Sequence, residues 1–229
     1  MQKFLVWDLP VRLFHWLLVI CIFAQWFTVE ILEDATDIHF YIGYFTLGLI
    51  IFRLIWGIVG TTYARFSNFM AGPKSMLTYL KSLTTKEHTP TVGHNSVGGW
   101  MLPAVLLLVG LQATSGLFIT DDIINEGPYY ASASASDAIK GYMMWLHHNI
   151  FNVLLALIVV HLLAIFYYRF ILKHDLISPM FSGKKEVKST EAIPSSRLLL
   201  AAVIAVLVAT FVYWLVAINP PVVEVDYYY

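Results

Sequence analysis

Five long runs of apolar residues limit what this chain can fold into more than any other feature. They cover roughly residues 13–31, 39–60, 98–119, 142–170 and 197–218. A helix needs about 20 predominantly apolar residues to cross the hydrocarbon core of a bilayer. With 59% hydrophobic and 13% charged residues, the chain does not have the composition of a soluble domain. The sequence therefore predicts an all-α integral membrane protein with five spans.

The positions of the charged residues predict how these spans are oriented. Cytoplasmic segments near span ends carry an excess of Lys and Arg. Basic residues precede span one and cluster between spans two and three and between spans four and five. The connection between spans three and four is acidic and contains Asp121, Asp122, Glu126 and Asp137. We expect a bacterial inner-membrane protein with a cytoplasmic N-terminus and a periplasmic C-terminus. The net charge of −1 gives no indication of a nucleic-acid partner.

The connections between the spans are short, so the chain is expected to form one bundle with an added C-terminal span. The segment GPKSMLTYLKSL, between spans two and three, has Pro73 at a suitable first helical position. It predicts a short helix on the inner surface, with a plain loop as the alternative. The first apolar run lacks the cleavage site of a secretory signal peptide, so it is expected to be a retained span.

Four histidines stand out because ionisable groups at membrane depth are costly and usually functional. His147 and His161 are separated by 14 residues, which is about 21 Å along a helix and returns to within about 40° of the same face. His148 is rotated one step away and remains the rival of His147. By depth, His39 pairs with His147 near the outer face, and His15 pairs with His161 near the inner face.

Two imidazoles from different helices in an apolar interior suit haem iron. Zinc usually takes four ligands, and no further Cys or carboxylate accompanies either pair. The single cysteine, Cys21, excludes an intrachain disulfide, and no Cys-x-x-Cys-His motif is present for covalent attachment. The sequence therefore predicts two non-covalent, b-type haems. A transporter or channel lined by histidines is the alternative of a different class, which usually shows a polar midplane or broken helices.

Other residues are candidates for contact with the haems. Arg53 follows His39 by 14 residues and lies on nearly the same face of span two, but closer to the inner surface. At that depth its guanidinium can pair with haem propionates or reach the headgroups. Arg12 and Arg65 are weaker propionate candidates, with topological anchoring as their alternative. Gly43 lies one turn after His39, and its missing side chain can admit a flat ring. Close packing between helices explains a glycine at this position equally well. His94, at the start of span three, is expected not to reach a propionate.

Four segments carry family-like motifs in order: RLFHW, HFYIGYFTLGLIIFRLIWGIVGTTYARF, GHNSVGGWMLPAVLLLVGLQATSGLF and LHHNIFNVLLALIVVH. In these segments, over about residues 4–182, the chain resembles the prokaryotic cytochrome b561 family, which includes the b-type cytochrome subunits of nickel-iron hydrogenases. The resemblance implies a four-helix bundle with two haems, ligated by His15 with His161 and by His39 with His147, and a quinone as redox partner. Residues 1–182 are then the di-haem domain, and residues 183–229 add a linker, a fifth span and a short tail.

A six-coordinate haem has no open position for oxygen chemistry, so electron relay is the expected activity. We predict an oxidoreductase that relays electrons between the quinone pool and a periplasmic partner, such as a soluble cytochrome docked on the acidic connection. Two alternatives remain within the family. One is a superoxide oxidase that passes electrons to quinone, and the other is the membrane anchor of a hydrogenase-like complex.

Overall fold

The computed structural model describes residues 2–32, 35–83, 91–120, 126–130 and 136–221. Within these ranges, five helices are long and apolar enough to cross a membrane: Leu9–Glu30, Thr36–Val59, Gly98–Phe118, Asp137–Ile171 and Leu198–Ile218. Each of them overlaps one of the five apolar runs. The predicted all-α membrane fold with five spans is therefore confirmed.

The elements follow one another in the order β1 (Lys3–Leu5), α1 (Leu9–Glu30), α2 (Thr36–Val59), α3 (Phe66–Phe69), α4 (Pro73–Ser82), α5 (Gly98–Ser115), α6 (Asp137–Phe166), α7 (Ile177–Ser182), β2 (Lys184–Glu186) and α8 (Leu198–Tyr213). Short π-helical segments extend α6 over Tyr167–Ile171 and α8 over Trp214–Ile218. The helix α4 confirms the short helix that was predicted between spans two and three.

Three of the spans begin a few residues earlier than the apolar runs suggested, at Leu9, Thr36 and Asp137. The first helix starts at Leu9 because Asp8 caps it, with the backbone N–H of Val11 donating to Asp8 Oδ1 at 2.7 Å. The sixth helix starts at Asp137, where the carbonyl of Ser136 accepts the first helical bonds. Charged residues lie at both starts, Asp8 and Arg12 at α1 and Asp137 and Lys140 at α6, so a search for long apolar runs alone places these starts outside the spans.

The chain divides into two compact units. Unit 1 comprises Met1–Leu17, Phe52–Leu107 and Leu155–Ala205, and unit 2 comprises Leu18–Ile51, Leu108–Leu154 and Val206–Tyr229. Each of the five spans contributes residues to both units. The predicted division into a di-haem domain of residues 1–182 and an added segment of residues 183–229 stays a prediction.

Unit 1 contains a two-stranded sheet that holds the N-terminal segment in place. Strand β1 pairs antiparallel with β2, with Phe4 opposite Lys185. Just before β2, the carbonyl of Gly183 accepts hydrogen bonds from the N–H groups of Val6 and Trp7 at 2.9 and 3.0 Å. Gly183 has a φ of 78°, and a Cβ at this position would lie 2.7 Å from the Trp7 carbonyl oxygen. Only glycine fits this turn without strain.

Unit 2 contains the contact between the second and fifth spans. A Cβ on Gly48 of α2 would lie 3.7 Å from Val212 and 3.8 Å from Val208, both on α8. Beyond the end of α8, the hydroxyl of Tyr129 donates to the carbonyl of Leu215 at 2.8 Å. The fifth span therefore packs against α2, the helix that carries His39. The fifth span itself contains no histidine.

Candidate haem sites

Unit 2 brings His39 of α2 and His147 of α6 together. Their ring centroids are 6.3 Å apart and their planes are inclined by 69°. A bond of about 2.0 Å from each imidazole nitrogen to a metal, with each ring centre about 1.1 Å behind its nitrogen, puts two ligand rings about 6.2 Å apart across one ion. The two rings therefore have the separation of two ligands on opposite sides of one metal ion.

The hydrogen bonds of His147 determine which of its nitrogens is available. Its Nδ1 lies 3.0 Å from the carbonyl oxygen of Gln112 and 3.1 Å from the hydroxyl of Ser115. Ser115 donates its own proton to the same carbonyl at 3.0 Å. Because a carbonyl only accepts, Nδ1 must carry the proton and Nε2 keeps its lone pair. Metal-binding histidines are oriented by such a bond from the second ring nitrogen.

The same tautomer follows for His39. The hydroxyl of Thr28 lies 3.1 Å from His39 Nδ1 and donates its proton to the carbonyl of Gln25 at 2.9 Å. That hydroxyl must then accept from the imidazole, so Nδ1 of His39 is protonated and Nε2 is free. Gln25 also donates through Nε2 to the His39 carbonyl at 3.2 Å. Both imidazoles of unit 2 therefore have an unprotonated Nε2 that could bind a metal.

The two neighbouring histidines of α6 have different surroundings. His147 is half-buried, and a Cβ on Gly116 would lie 3.2 Å from its Cε1 atom. His148 is exposed, and its ring centroid lies 6.4 Å from that of His147. The structure thus brings His147, and not His148, beside His39. Gly43 also lies in unit 2, where a Cβ would be 3.3 Å from the amide nitrogen of Gln25.

Unit 1 contains the second pair of imidazoles, His15 of α1 and His161 of α6. Both side chains are half-buried, and they are close enough for their charges to interact. The ring of His15 packs edge-on against Trp16 with centroids 4.9 Å apart. Its Nδ1 is buried and has no hydrogen-bond partner among the described residues. These two residues lie on spans one and four, the spans whose inner histidines were paired by depth from the sequence.

Arg53 is the most deeply buried Lys or Arg in the described part of unit 1, with 1% of its surface exposed. Its Nη2 donates to the carbonyl of Ala64 at 3.1 Å, and the guanidinium lies 5.1 Å from the ring centroid of Phe66 and 6.0 Å from that of Phe14. Within the described ranges, Nη1 is buried without a partner. An unsatisfied charged donor in an apolar interior is costly, so this atom is suited to bind an anionic group.

Two further arginines of unit 1 have buried donors without protein partners in the described part of the chain. Arg12 donates through Nη1 to the carbonyl of Phe181, whereas its Nε is unpartnered. Arg65 likewise has a buried, unpartnered Nε. Haem carboxylates accept charge-assisted hydrogen bonds from guanidinium groups. The three arginines named from the sequence therefore each offer an N–H group of the kind a propionate requires.

A comparison with known protein families identifies the family of the chain. The family model of prokaryotic cytochrome b561 matches residues 6–183. This chain belongs to the prokaryotic cytochrome b561 family. No curated protein and no solved structure gives a significant match. As a family member, the protein is a b-type membrane cytochrome that takes part in electron transfer. The matched range ends before α8, so the fifth span lies outside it.

The side chains of this b561-family protein fit a haem better than a metal ion held by the protein alone. Within the described residues, no group of three or more His, Cys, Asp or Glu side chains is placed to hold a metal ion. The rings of His39 and His147 offer two nitrogens at the spacing of two opposite ligands. A porphyrin supplies the four remaining ligands of a six-coordinate iron, so the donor set and the cofactor of the family agree.

Sequence reasoning did not identify Asp8 in this b561-family protein. The carboxylate is 1% exposed and accepts from the Trp56 indole N–H at 3.1 Å and from the hydroxyl of Thr61. It also interacts electrostatically with Arg53. An acidic residue directly before Leu-Pro at the start of an apolar run is a typical capping signal, and that signal was available in the sequence.

His94 is half-buried and lies between aromatic side chains. Its ring centroid is 4.8 Å from Trp7 and 4.3 Å from Phe69. Burial, followed by the positive charges of Arg53 and Lys185, lowers the pKa of His94 to about 3. Its Nδ1 is buried and has no partner among the residues described. The imidazole is therefore neutral at physiological pH and keeps one nitrogen for a further hydrogen bond.

Proposed function

We propose that the protein is a di-haem cytochrome that relays electrons between the quinone pool and a periplasmic redox partner. His39 and His147 of unit 2 hold one haem b, and His15 and His161 of unit 1 hold the other. The observation that carries the proposal is the 6.3 Å separation of the His39 and His147 rings, with the Nδ1–H of each ring bound to a protein oxygen. This geometry supports two Nε2 ligands for one iron.

The ligand arrangement favours electron transfer over reactions at the metal. Haem iron held by two imidazoles supplies one-electron exchange and has no open position for oxygen. Gln112 and Thr28 hold the ligand rings through Nδ1, which fixes the orientation of each ring during a change of oxidation state. The role of the side chains is therefore to orient and insulate the centres.

Arginines of unit 1 are the proposed partners of the haem propionates. Arg53 supports this role best because its Nη1 is buried and unpartnered in the described part of the chain. Arg12 is a second candidate through its Nε. In unit 2, Gly43 is a candidate for close approach of a ring to α2. These assignments extend the histidine sites and do not carry the proposal by themselves.

The distribution of basic residues supports an inner-membrane protein with its N-terminus in the cytoplasm. In the described part of unit 2, Lys140 is the only Lys or Arg, so the basic connections belong to unit 1. The positive-inside rule assigns those connections to the cytoplasm. Glu126 and Asp137 of the acidic connection are exposed, whereas Asp121 and Asp122 lie outside the described residues, as do residues 222–229.

Absorption spectra of the purified protein before and after reduction test the proposal. We expect two low-spin b-type components, one of which is lost in His39→Ala and the other in His161→Ala. His148→Ala is the matched control, because its exposed ring should leave both components in place. A colourless protein would contradict the proposed function. Loss of a component in His148→Ala but not in His147→Ala would assign the unit 2 ligand to His148.

A further inference from the structure

The short helix α4 of unit 1 is held at the level where two of the spans end. The indole N–H of Trp100, near the start of span three, donates at 2.6 Å to the carbonyl of Ala71, just before α4 begins. After α4 ends, the carbonyl of Leu83 accepts from the hydroxyl of Tyr167 at 3.1 Å. Tyr167 begins the π-helical segment that ends span four. Both contacts therefore hold α4 beside span ends, at the surface of the bilayer.

The exposed side of α4 is apolar along one edge and basic along the next. Leu77 and Leu80 are 57% and 42% exposed and lie about 60° apart around the helix. Lys74 and Lys81 are also exposed, lie about 20° apart, and follow Leu77 on the side away from Leu80. Tyr79, on the opposite side of the helix, is half-buried. An apolar strip flanked by lysines is typical of a helix that lies in a membrane interface.

The segment that contains α4 is positively charged. In the described part of residues 60–107, the charged side chains are Arg65, Lys74 and Lys81, and none is acidic. Anionic lipids attract basic residues at the membrane surface. A phospholipid matches both edges of α4, because its phosphate pairs with a lysine while its acyl chains contact the exposed leucines. A soluble acidic partner would match the lysines alone.

A cavity of about 580 Å³ beside α4 offers room for a lipid headgroup. Lys74 and the hydroxyl side chains of Ser75, Thr78 and Ser96 line it. The hydroxyls of Ser75 and Ser96 lie 3.1 Å apart, and the bond between them uses the proton of only one. The other hydroxyl keeps its proton for a further acceptor. Together with the charge of Lys74, this donor suits a phosphate oxygen.

We propose that α4 binds anionic phospholipids of the cytoplasmic leaflet. Leu77 and Leu80 enter the outer part of the acyl-chain region, and Lys74, with a hydroxyl of Ser75 or Ser96, binds the lipid phosphate. A zwitterionic lipid offers the same phosphate but adds a positive group near Lys74, so an anionic lipid binds more tightly. This interaction goes beyond the proposed electron transfer and does not depend on either haem.

Native mass spectrometry of the purified full-length protein in detergent measures the preference. The protein is mixed with equal amounts of phosphatidylglycerol and phosphatidylcholine, and the bound copies of each lipid are counted. One lysine near an anionic lipid strengthens binding about fivefold, so Lys74→Gln should lower the ratio of bound phosphatidylglycerol to phosphatidylcholine by about this factor. Lys74→Arg should keep the ratio close to that of the wild type. Lys184→Gln removes an exposed lysine of β2 and is the matched control, with no expected change.

The same measurement can overturn the inference. Equal binding of both lipids to the wild type would do so, as would a ratio that Lys74→Gln leaves unchanged or that Lys184→Gln lowers equally. Inorganic phosphate is the second probe. It should not displace phosphatidylglycerol at equal concentration, because it cannot contact Leu77 and Leu80. Displacement would mean that the cavity binds free phosphate, and α4 would then not be a lipid site.

Electron paramagnetic resonance tests where the exposed leucines lie. The single cysteine, Cys21, is buried and is replaced by serine, so that a nitroxide label can be attached at Leu77→Cys or Thr78→Cys. In vesicles of equal parts phosphatidylglycerol and phosphatidylcholine, the label at Leu77→Cys should be more accessible to oxygen than to a water-soluble nickel chelate. The label at Thr78→Cys, the control, should show the reverse. Greater nickel access at Leu77→Cys would place this edge in water or against a soluble partner and would overturn the inference.

Discussion

Replacement of Asp8 by Ala should destabilise the protein far more than loss of one surface carboxylate. Asp8 caps α1 through the Val11 N–H and accepts from Trp56 and Thr61, and the Trp56 side chain is 0% exposed. In Asp8→Ala the indole N–H loses its acceptor in a site without access to water, and Arg53 loses its counter-charge. These are the conditions in which removal of a buried partner is most costly.

The expected size of the effect follows from these contacts. Loss of a helix cap costs about 0.5–2 kcal/mol, an unsatisfied buried donor costs about 1–3 kcal/mol, and removal of one member of a buried ion pair costs about 3–5 kcal/mol in total. The terms overlap, so we expect about 3–5 kcal/mol for Asp8→Ala. For a chain of this length, each kcal/mol shifts Tm by about 2–4 °C, which gives a decrease of about 6–20 °C.

Asp175→Ala is the matched control. Asp175 also caps a helix, since it accepts from the N–H groups of Ile177 and Ser178, but its side chain is 38% exposed and its ion pair with Arg169 spans 3.9 Å. Asp175→Ala should therefore lower the free energy of unfolding by about 1 kcal/mol or less. Thermal scans of both variants in the same detergent, followed by tryptophan fluorescence, measure the difference. Equal decreases in Tm would refute the argument from burial.

Two further predictions concern residues of unit 1. Burial lowers the pKa of His94 in the folded chain to about 3. Between about pH 6.5 and pH 3, the unfolded chain therefore binds a proton at His94 that the folded chain does not bind. Stability should then fall with decreasing pH by up to about 1.4 kcal/mol per pH unit, and a pH series of Tm should show a shallower slope for His94→Phe. Gly183→Ala should cost at least about 1–2 kcal/mol, because a left-handed residue acquires a Cβ against the Trp7 carbonyl. Gly72→Ala, where no atom lies within 4 Å of the added Cβ, should leave Tm nearly unchanged and serves as its control.

The sequence predicted the spans well because their length and composition are local properties. It also paired His39 with His147 by depth along the helices, and the structure places these rings 6.3 Å apart. Their roles as ligands stay a prediction. The distinction between His147 and His148 rested on one helical step of rotation, and the structure leaves only His148 exposed.

The sequence was less informative about contacts between distant segments. The partners of Asp8 lie 48 and 53 residues away, and no periodicity within a helix indicates such a network. The low exposure of His94 depends in the same way on Trp7 and Phe69. The starts of α1, α2 and α6 lie a few residues before the rough starts of the apolar runs, because charged residues interrupt the apolar pattern there. Tertiary contacts and caps therefore had to come from the structure.

The pairing of β1 with β2 has a consequence for how the protein is made. Lys3–Leu5 are synthesised before the spans, but their partner strand Lys184–Glu186 is synthesised only after four spans have been produced. The N–H of Ile193, which donates to the Leu5 carbonyl at 2.9 Å, is added later still. The N-terminal segment must therefore wait without its partner while the first four spans enter the membrane. A chain released before Gly183 has been translated can form neither the pairing of β1 with β2 nor the hydrogen bonds to the Gly183 carbonyl.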